Sequence, residues 1–194
     1  MLPFPLCIVR HGETDWNAES RLQGQQDVPL NGRGRAQAES VGRTLKQQFP
    51  DALSFDFVAS PLGRAQETMR LMRGQMGLAP GAYRLDDRLK ELTFGDWEGF
   101  TWEEMKLRDP AGCAARDAGK WAFCPPRGES YAMLSVRIAG WLQTLSEPTL
   151  AVTHGGVARV LLGLLAGVSE ADLPNVDIVQ GRALVFERGE ARWV

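Results

Sequence analysis

Histidine is nearly missing from this 194-residue sequence, which has only two. His11 lies in "CIVRHGET" and His154 in "LAVTHGGVARV", each directly after a short apolar run and directly before a glycine. Cysteine is scarce too. Cys7, Cys113 and Cys124 are an odd set with no CxxC pair and no histidine-rich partner cluster, which argues against a disulfide framework and against a zinc site of short-spaced ligands. A reducing, cytoplasmic compartment is expected. Nor is there an excess of basic charge: 22 Lys and Arg stand against 24 Asp and Glu, so no broad positive field is available to draw nucleic acid. Long hydrophobic runs are also wanting. The most apolar stretch, Val157 to Val168, contains Arg159 and is too short to span a bilayer. The opening "MLPFPLCIV" has neither a basic n-region nor a small-residue cleavage site, so it does not read as a signal peptide. No nucleic acid and no membrane are therefore expected among the partners.

What is present is the composition of an ordinary globular protein, with 44% hydrophobic and 24% charged residues. At this length a single domain over residues 1–194 is expected. Apolar runs of four or five residues alternate with helix-period segments, the pattern of a βα sheet. Strands are expected at Leu6–Val9, Phe55–Ala59, Leu150–Thr153 and Ala183–Glu187. The first three lack polar alternation and should lie centrally, buried on both faces. The closing "ALVFERGEARWV" reads as an antiparallel hairpin about Gly189 at a sheet edge. One helix is expected after an Asn31 N-cap, with Ala38, Val41 and Leu45 on its inner face, and another after a Ser60 N-cap, with Pro61 at its first position and Arg64 in its first turn. A third follows Ser130, with Leu134, Ile138, Trp141, Leu142 and Leu145 as its apolar stripe. A fourth, "GVARVLLGLLAGV", is apolar nearly all round and should be buried. Between about 101 and 128 the periodicity fails at Pro110, Gly112, Gly119, Pro125 and Pro126. An irregular, lid-like insertion carrying Trp102, Trp121 and Phe123 is expected there.

Arg10 and His11 thus end one strand, His154 ends another, and Ser60 to Arg64 leave a third and open a helix. In an open α/β sheet, ligands bind beyond the carboxyl ends of the strands, where helix N-termini present free N–H groups and positive dipole ends. The expected ligand is an anion. Gly12, Gly155 and Gly156 would let the backbone approach it, and arginine's planar fork and permanent charge suit phosphate oxygens. A histidine after a strand, or a lone arginine, is commonly structural. Their conjunction at three strand ends points to a site.

Five motifs carry a family resemblance: "IVRHGETDWN", "QGQQDVPLNGRGRAQA", "SPLGRAQET", "LKELTFGDWEG" and "VTHGG". In this order, and over most of the chain, they resemble the histidine phosphatase superfamily, the group of the cofactor-dependent phosphoglycerate mutases and many phosphomonoesterases. The resemblance implies a three-layer α/β/α sandwich around a mostly parallel sheet with one antiparallel strand, and catalysis with no metal and no bound cofactor. It implies that His11 is the nucleophile and forms a phosphohistidine, that Arg10, Arg64 and His154 clamp the phosphoryl oxygens, that Asn17 adds a hydrogen bond, and that Glu91 is the proton donor. Gln23, Gly24 and Gly155 would complete the phosphate and substrate side. Elementary chemistry agrees, since phosphoryl transfer needs an in-line nucleophile and charge stabilisation on the equatorial oxygens. A neutral imidazole, with an ordinary pKa of about 6.5, is such a nucleophile near pH 7. Glu98 is the nearest rival to Glu91, and only the resemblance separates the two.

Members of that family divide by what removes the phosphoryl group, water or a second phosphorylated substrate. Mutases follow the glutamate with an arginine and a tyrosine, then supply a lysine and an arginine pair that hold the substrate carboxylate. Here Leu92, Phe94 and Trp102 occupy that stretch, and no two arginines are adjacent between Thr101 and Gly128. Carboxylate recognition is therefore not expected, and a histidine acid phosphatase-type phosphomonoesterase is. The alternatives are mutase-type phosphoryl transfer and a non-catalytic phospholigand-binding or regulatory module. Retention of His11 and Glu91 argues against the module. Trp102, Trp121 and Phe123 would favour an apolar or ring-bearing leaving group. The expected partner is a small phosphorylated metabolite, with a homodimer as the assembly to test for.

Overall fold

Six strands form one sheet in the computed structural model, which describes residues 2–194. They are Leu6–Arg10 (β1), Asp56–Ala59 (β2), Arg84–Leu85 (β3), Thr149–Thr153 (β4), Ala183–Glu187 (β5) and Glu190–Trp193 (β6). Their spatial order is β3-β2-β4-β1-β5-β6. The first four in sequence run parallel, and β5 is antiparallel to both of its neighbours, β1 and β6. The three strands expected to be central are so, and β5 and β6 make the expected hairpin. Arg188 and Gly189, with φ of 54° and 83°, form its two-residue turn, a backbone shape that glycine adopts without steric cost.

Helices cover both faces: Asp15–Ala18 (α1), Gly32–Gln48 (α2), Gly63–Met76 (α3), Trp102–Arg108 (α4), Pro110–Ala118 (α5), Tyr131–Leu142 (α6) and Gly155–Ala166 (α7). The period-2 alternation of the strands divides the interior. Cys7, Val9, Leu150 and Val152 face α2 and α3, where Val41, Leu45, Met69 and Met72 meet them. Leu6, Ile8 and Ala151 face α6 and α7, against Leu134, Ile138, Trp141 and Val157. The result is the three-layer sandwich implied by the motifs. Asn31 caps α2 by accepting from Gly34 N, and Ser130 caps α6 by accepting from Met133 N, both as expected. Leu142 and Leu145, at the end of the α6 stripe, are only partly buried, and α7 emerges from the core at Leu164, which is 42% exposed.

Two expectations need correction, and one strand was not expected. Ser60 does not cap α3, which begins at Gly63 after an extended Leu62. The Ser60 hydroxyl is drawn instead to His154 Nε2 at 2.8 Å, and Asp27, from a distant loop, accepts from Gly63 N at 2.9 Å in its place. The 101–128 segment is not irregular throughout, since α4 and α5 occupy residues 102–118. Pro110 sits in the first turn of α5, where proline's missing N–H does no harm, and Asp109 caps that helix through Gly112 N. Finally, β3 gave no sign in sequence because both of its residues are exposed.

Candidate active site

The chain leaves β1 for α2 on one face and leaves β4 for α7 on the other, so the carboxyl ends of two adjacent strands diverge. A crevice forms at such a point. Here it is a cleft of about 530 Å³. Strand register sets its floor: Arg10 pairs with Thr153, and His11 N donates to Thr153 O at 2.9 Å, so the two histidines emerge side by side. Their rings lie 5.1 Å apart, centroid to centroid.

His11 is fixed in one tautomer. Its Nδ1 lies 2.8 Å from Gly12 O, which can only accept, so Nδ1 carries the proton and Nε2 keeps its lone pair. Arg64 Nε donates to that Nε2 at 3.3 Å. Burial lowers the His11 pKa well below its ordinary value, and the cations of Arg64 and Arg10 add to the effect. The ring is therefore neutral at physiological pH. Burial likewise lowers His154 well below the ordinary value, with Arg64 the next cause.

Arg64, from the first turn of α3, is 1% exposed and donates from its two terminal nitrogens to Gln26 O at 2.6 Å and Gly24 O at 2.7 Å. Burial lowers its pKa to about 10, which leaves it charged at neutral pH. Arg10 holds Ile178 O at 2.8 Å, and its Nε is buried without a hydrogen-bond partner among the described residues. The same is true of Gln23 Nε2 and His154 Nδ1. Buried donors are nearly always paired. An anion seated in this cleft could supply acceptors to such groups.

Asn17 closes a capping box with Thr14, accepts from Gln180 Nε2 at 3.1 Å, and donates from Nδ2 to Gln23 Oε1 at 3.4 Å. Glu91 accepts at both oxygens from Gly156 N, at 3.1 and 3.0 Å, in the first turn of α7. Glu98 lies elsewhere. It accepts from Gln25 N, Phe94 N and the Thr93 hydroxyl, stitching two loops together behind the cleft wall. The cleft is thus lined by Arg10, His11, Asn17, Gln23, Gly24, Arg64, Glu91 and Gly155, all of them expected from sequence. His154 does not line it and stands fully buried beside the His11 ring.

The glycines serve other purposes than expected. A Cβ on Gly12 would be driven into the Gly34 backbone of α2, and one on Gly156 into Glu91 and Leu92. Both therefore permit protein to pack on protein. Of the expected lid aromatics only Trp102 lines the cleft. Phe123 packs on Trp97 at 5.2 Å, and Trp121 stacks on Tyr131 at 5.9 Å. Gln180, Thr68, Tyr131 and Arg159 were not anticipated at the site, nor was Ser60 as a partner of His154. Thr68 Oγ1 accepts from Gly12 N at 3.0 Å, and Gln180 donates to His11 O at 3.0 Å. No group of three or more His, Cys, Asp or Glu able to hold a metal exists among the described residues. No helix among them is long and apolar enough to cross a membrane.

Known proteins are similar to this chain over most of their length. The phosphatase PhoE of Bacillus subtilis (strain 168) is 31% identical over 97% of this chain and 90% of its own. A 2,3-bisphosphoglycerate-dependent phosphoglycerate mutase of Methylobacterium radiotolerans is 32% identical, covering 93% of this chain and 88% of that one. The alpha-ribazole phosphatase structure from Shigella flexneri superposes with a TM-score of 0.80 at 27% identity, over 97% and 93% of the two chains. The profile of the histidine phosphatase superfamily, branch 1, matches from residue 6 to residue 194. Motifs far apart in sequence meet at one sheet edge in the fold those relatives have, and by that match the chain belongs to the histidine phosphatase superfamily, branch 1.

Proposed function

We propose that the protein is a phosphomonoesterase that hydrolyses a small phosphorylated metabolite by way of a phosphohistidine at His11. The observation that carries this reading is the state of His11, a neutral ring with Nδ1 tied to Gly12 O and the Nε2 lone pair facing Arg64. In the first step Nε2 attacks phosphorus, the bond to the alcohol oxygen breaks, and Glu91 gives that oxygen its proton. In the second, Glu91 takes a proton from water, the resulting hydroxide oxygen bonds to phosphorus, and the phosphorus–nitrogen bond breaks to release inorganic phosphate. Arg10 and Arg64, with Asn17 and Gln23, hold the equatorial oxygens, His154 supports the His11 ring from its buried place beside it in place of the expected clamp, and Gly24 and Gly155 shape the wall. Residues 1–194 act as one catalytic domain in this reading, supported by the single sheet and the family match. A reducing cytoplasm suits its three free cysteines.

Hydrolysis is favoured over transfer because Leu92 and Phe94 line the cleft beside Glu91, where mutases carry polar groups. Branch 1 is not the acid-phosphatase type expected from sequence, and phosphatase is the reaction class the relatives support. The mutase relative supports the second reading, transfer to another phosphorylated acceptor. Rapid mixing with labelled p-nitrophenyl phosphate should yield an acid-labile, base-stable phosphoryl adduct that His11→Ala lacks, followed by release of inorganic phosphate. Normal turnover by His11→Ala would overturn the assignment, and passage of the label to an added phosphorylated alcohol in place of water would favour transfer.

A further inference from the structure

We infer that the protein has a second binding site, for a small organic carboxylate, in a cavity at the end of the sheet opposite the catalytic cleft, with Arg73 holding the carboxylate. This site is independent of the phosphatase reading. Two buried cations on one helix point to it. Arg64 and Arg73 are 1% and 5% exposed, and both belong to α3, roughly 13 Å apart along its axis. Arg64, in the first turn, faces the cleft and has Asp27 at 3.9 Å. Arg73, in the last turn, has no carboxylate partner among the described residues. A buried charge is normally paired, because the cost of taking it out of water is otherwise uncompensated. What Arg73 has instead is partial. Its Nε donates to Ala79 O at 2.9 Å, and its guanidinium lies over the Phe57 ring at 4.2 Å. Its two terminal nitrogens make no hydrogen bond among the described residues. Burial lowers its pKa, and Tyr83 is the neighbour that opposes the shift.

Arg73 lines a cavity of about 400 Å³ at the amino end of β2. Because β2 and β1 both run parallel to β4, that end lies away from the strand ends that carry His11 and His154, and no residue of the cleft lines the cavity. Leu53, Phe55, Phe57 and Leu78 give it an apolar wall, and Tyr83 adds a hydroxyl. One carboxylate lines it, Asp56, and Arg84 claims that group from Nε at 2.8 Å and from Nη2 at 2.7 Å. Arg73 and Arg84 against Asp56 leave the lining with a single uncompensated positive charge. These features select the occupant. One positive charge is met by a singly charged anion, and a guanidinium fork matches a carboxylate through two parallel hydrogen bonds. The volume is that of a small-molecule site, more than an inorganic ion fills, and the apolar wall offers contact to the body of a short aliphatic or aromatic acid.

The test is titration of the full chain, followed by amide-resolved NMR, with 3-phenylpropanoate and with its neutral amide, 3-phenylpropanamide. The acid should give saturable shifts at the amides of Phe57, Leu78, Ala79 and Tyr83 with a dissociation constant of about 1 mM or lower. The neutral amide should bind about tenfold more weakly or worse, the scale of a lost charge-assisted hydrogen bond. Arg73→Met, which keeps an unbranched chain over Phe57, should weaken the acid by a similar factor, and Arg73→Lys should retain part of the binding. Ala82→Trp, at an exposed position on the rim, fills the cavity with Arg73 in place and should abolish the shifts. Resonances away from the cavity report whether each variant is folded, and Ala82→Trp decides if Arg73→Met is not. No saturation by about 10 mM, equal binding of acid and amide, shifts confined to the cleft, or undiminished binding in a folded Arg73→Met or Ala82→Trp overturns the inference. Turnover does not enter the readout, and His11→Ala should bind the acid as the unmodified protein does, so the phosphatase reading stands or falls separately.

Discussion

Glu91 turns both its oxygens to Gly156 N–H at the start of α7, inside the cleft, whereas Glu98 accepts three donors in the loops behind it. The two carboxylates should therefore fail differently when neutralised. Glu91→Gln should slow hydrolysis of an alkyl phosphate by about 10²-fold or more, yet slow phosphoenzyme formation from p-nitrophenyl phosphate much less, because an activated aryl oxide departs without a proton. Pre-steady-state bursts separate the steps, and an equal loss for both substrates would remove Glu91 as the proton donor. Glu98→Gln should instead lower thermal stability, since an amide replaces a charged acceptor for Gln25 N, Phe94 N and the Thr93 hydroxyl, and should leave the leaving-group dependence unchanged. At this scale the sequence showed the residues at strand ends, because a strand followed by Arg-His-Gly or His-Gly-Gly is a local pattern. It did not show Gln180, which reaches His11 O across 169 residues, or Ser60 as the partner of His154 across 94. Such pairings are set by how distant strands align, which no local spacing records.

Helix ends follow the same logic one level up. Ser130 and Asn31 were legible as caps because each is a capping residue type just ahead of a helix-period segment. Ser60 has the same local look, but its hydroxyl is taken by a histidine. Ser130→Ala should cost about 1 kcal/mol of folding stability through loss of the Met133 N–H acceptor, read as a lower urea midpoint with unchanged slope. No change in midpoint would mean that water or Glu129 replaces the cap. The helices of 102–118 were missed for a physical reason: their buried residues are few, with Met105 and Cys113 meeting Leu22 and Trp97 in a small core of their own. A stripe of so few apolar positions gives no period to read. Pro110 and Gly112 looked like breakers, yet one sits in a first turn and the other donates to the Asp109 cap.

For the molecule as a whole, two buried neutral histidines tie stability to pH. Both folded-state pKa values are driven down, first by burial and then by neighbouring arginines. The unfolded chain takes up protons near pH 6.5 while the folded chain does not. This contribution to stability is therefore fully present above that value and is lost as pH falls below it toward the depressed folded values. The loss approaches about 1.4 kcal/mol per pH unit for each histidine. Urea unfolding at pH 7.5, 6.0 and 5.0 should show a falling free energy with net proton uptake, and a flat profile over that range would contradict the neutral, buried assignment. The layered fold was legible because β1, β2 and β4 are apolar on both faces, as only a sheet sandwiched by helices requires.

The register of β1 on β4 has a consequence for how the molecule comes into being. Leu6 pairs with Thr149, about 140 residues later, and β4 lies between β1 and β2. During synthesis the amino-terminal two-thirds of the chain emerges with His11, Arg64 and Glu91 already made, but with no neighbour for β1 to join. Closing so long a loop is entropically slow. His11 and His154 meet only when β4 inserts, so no shorter nascent chain can assemble the cleft. The cleft therefore waits on a strand that only the last third of the chain supplies.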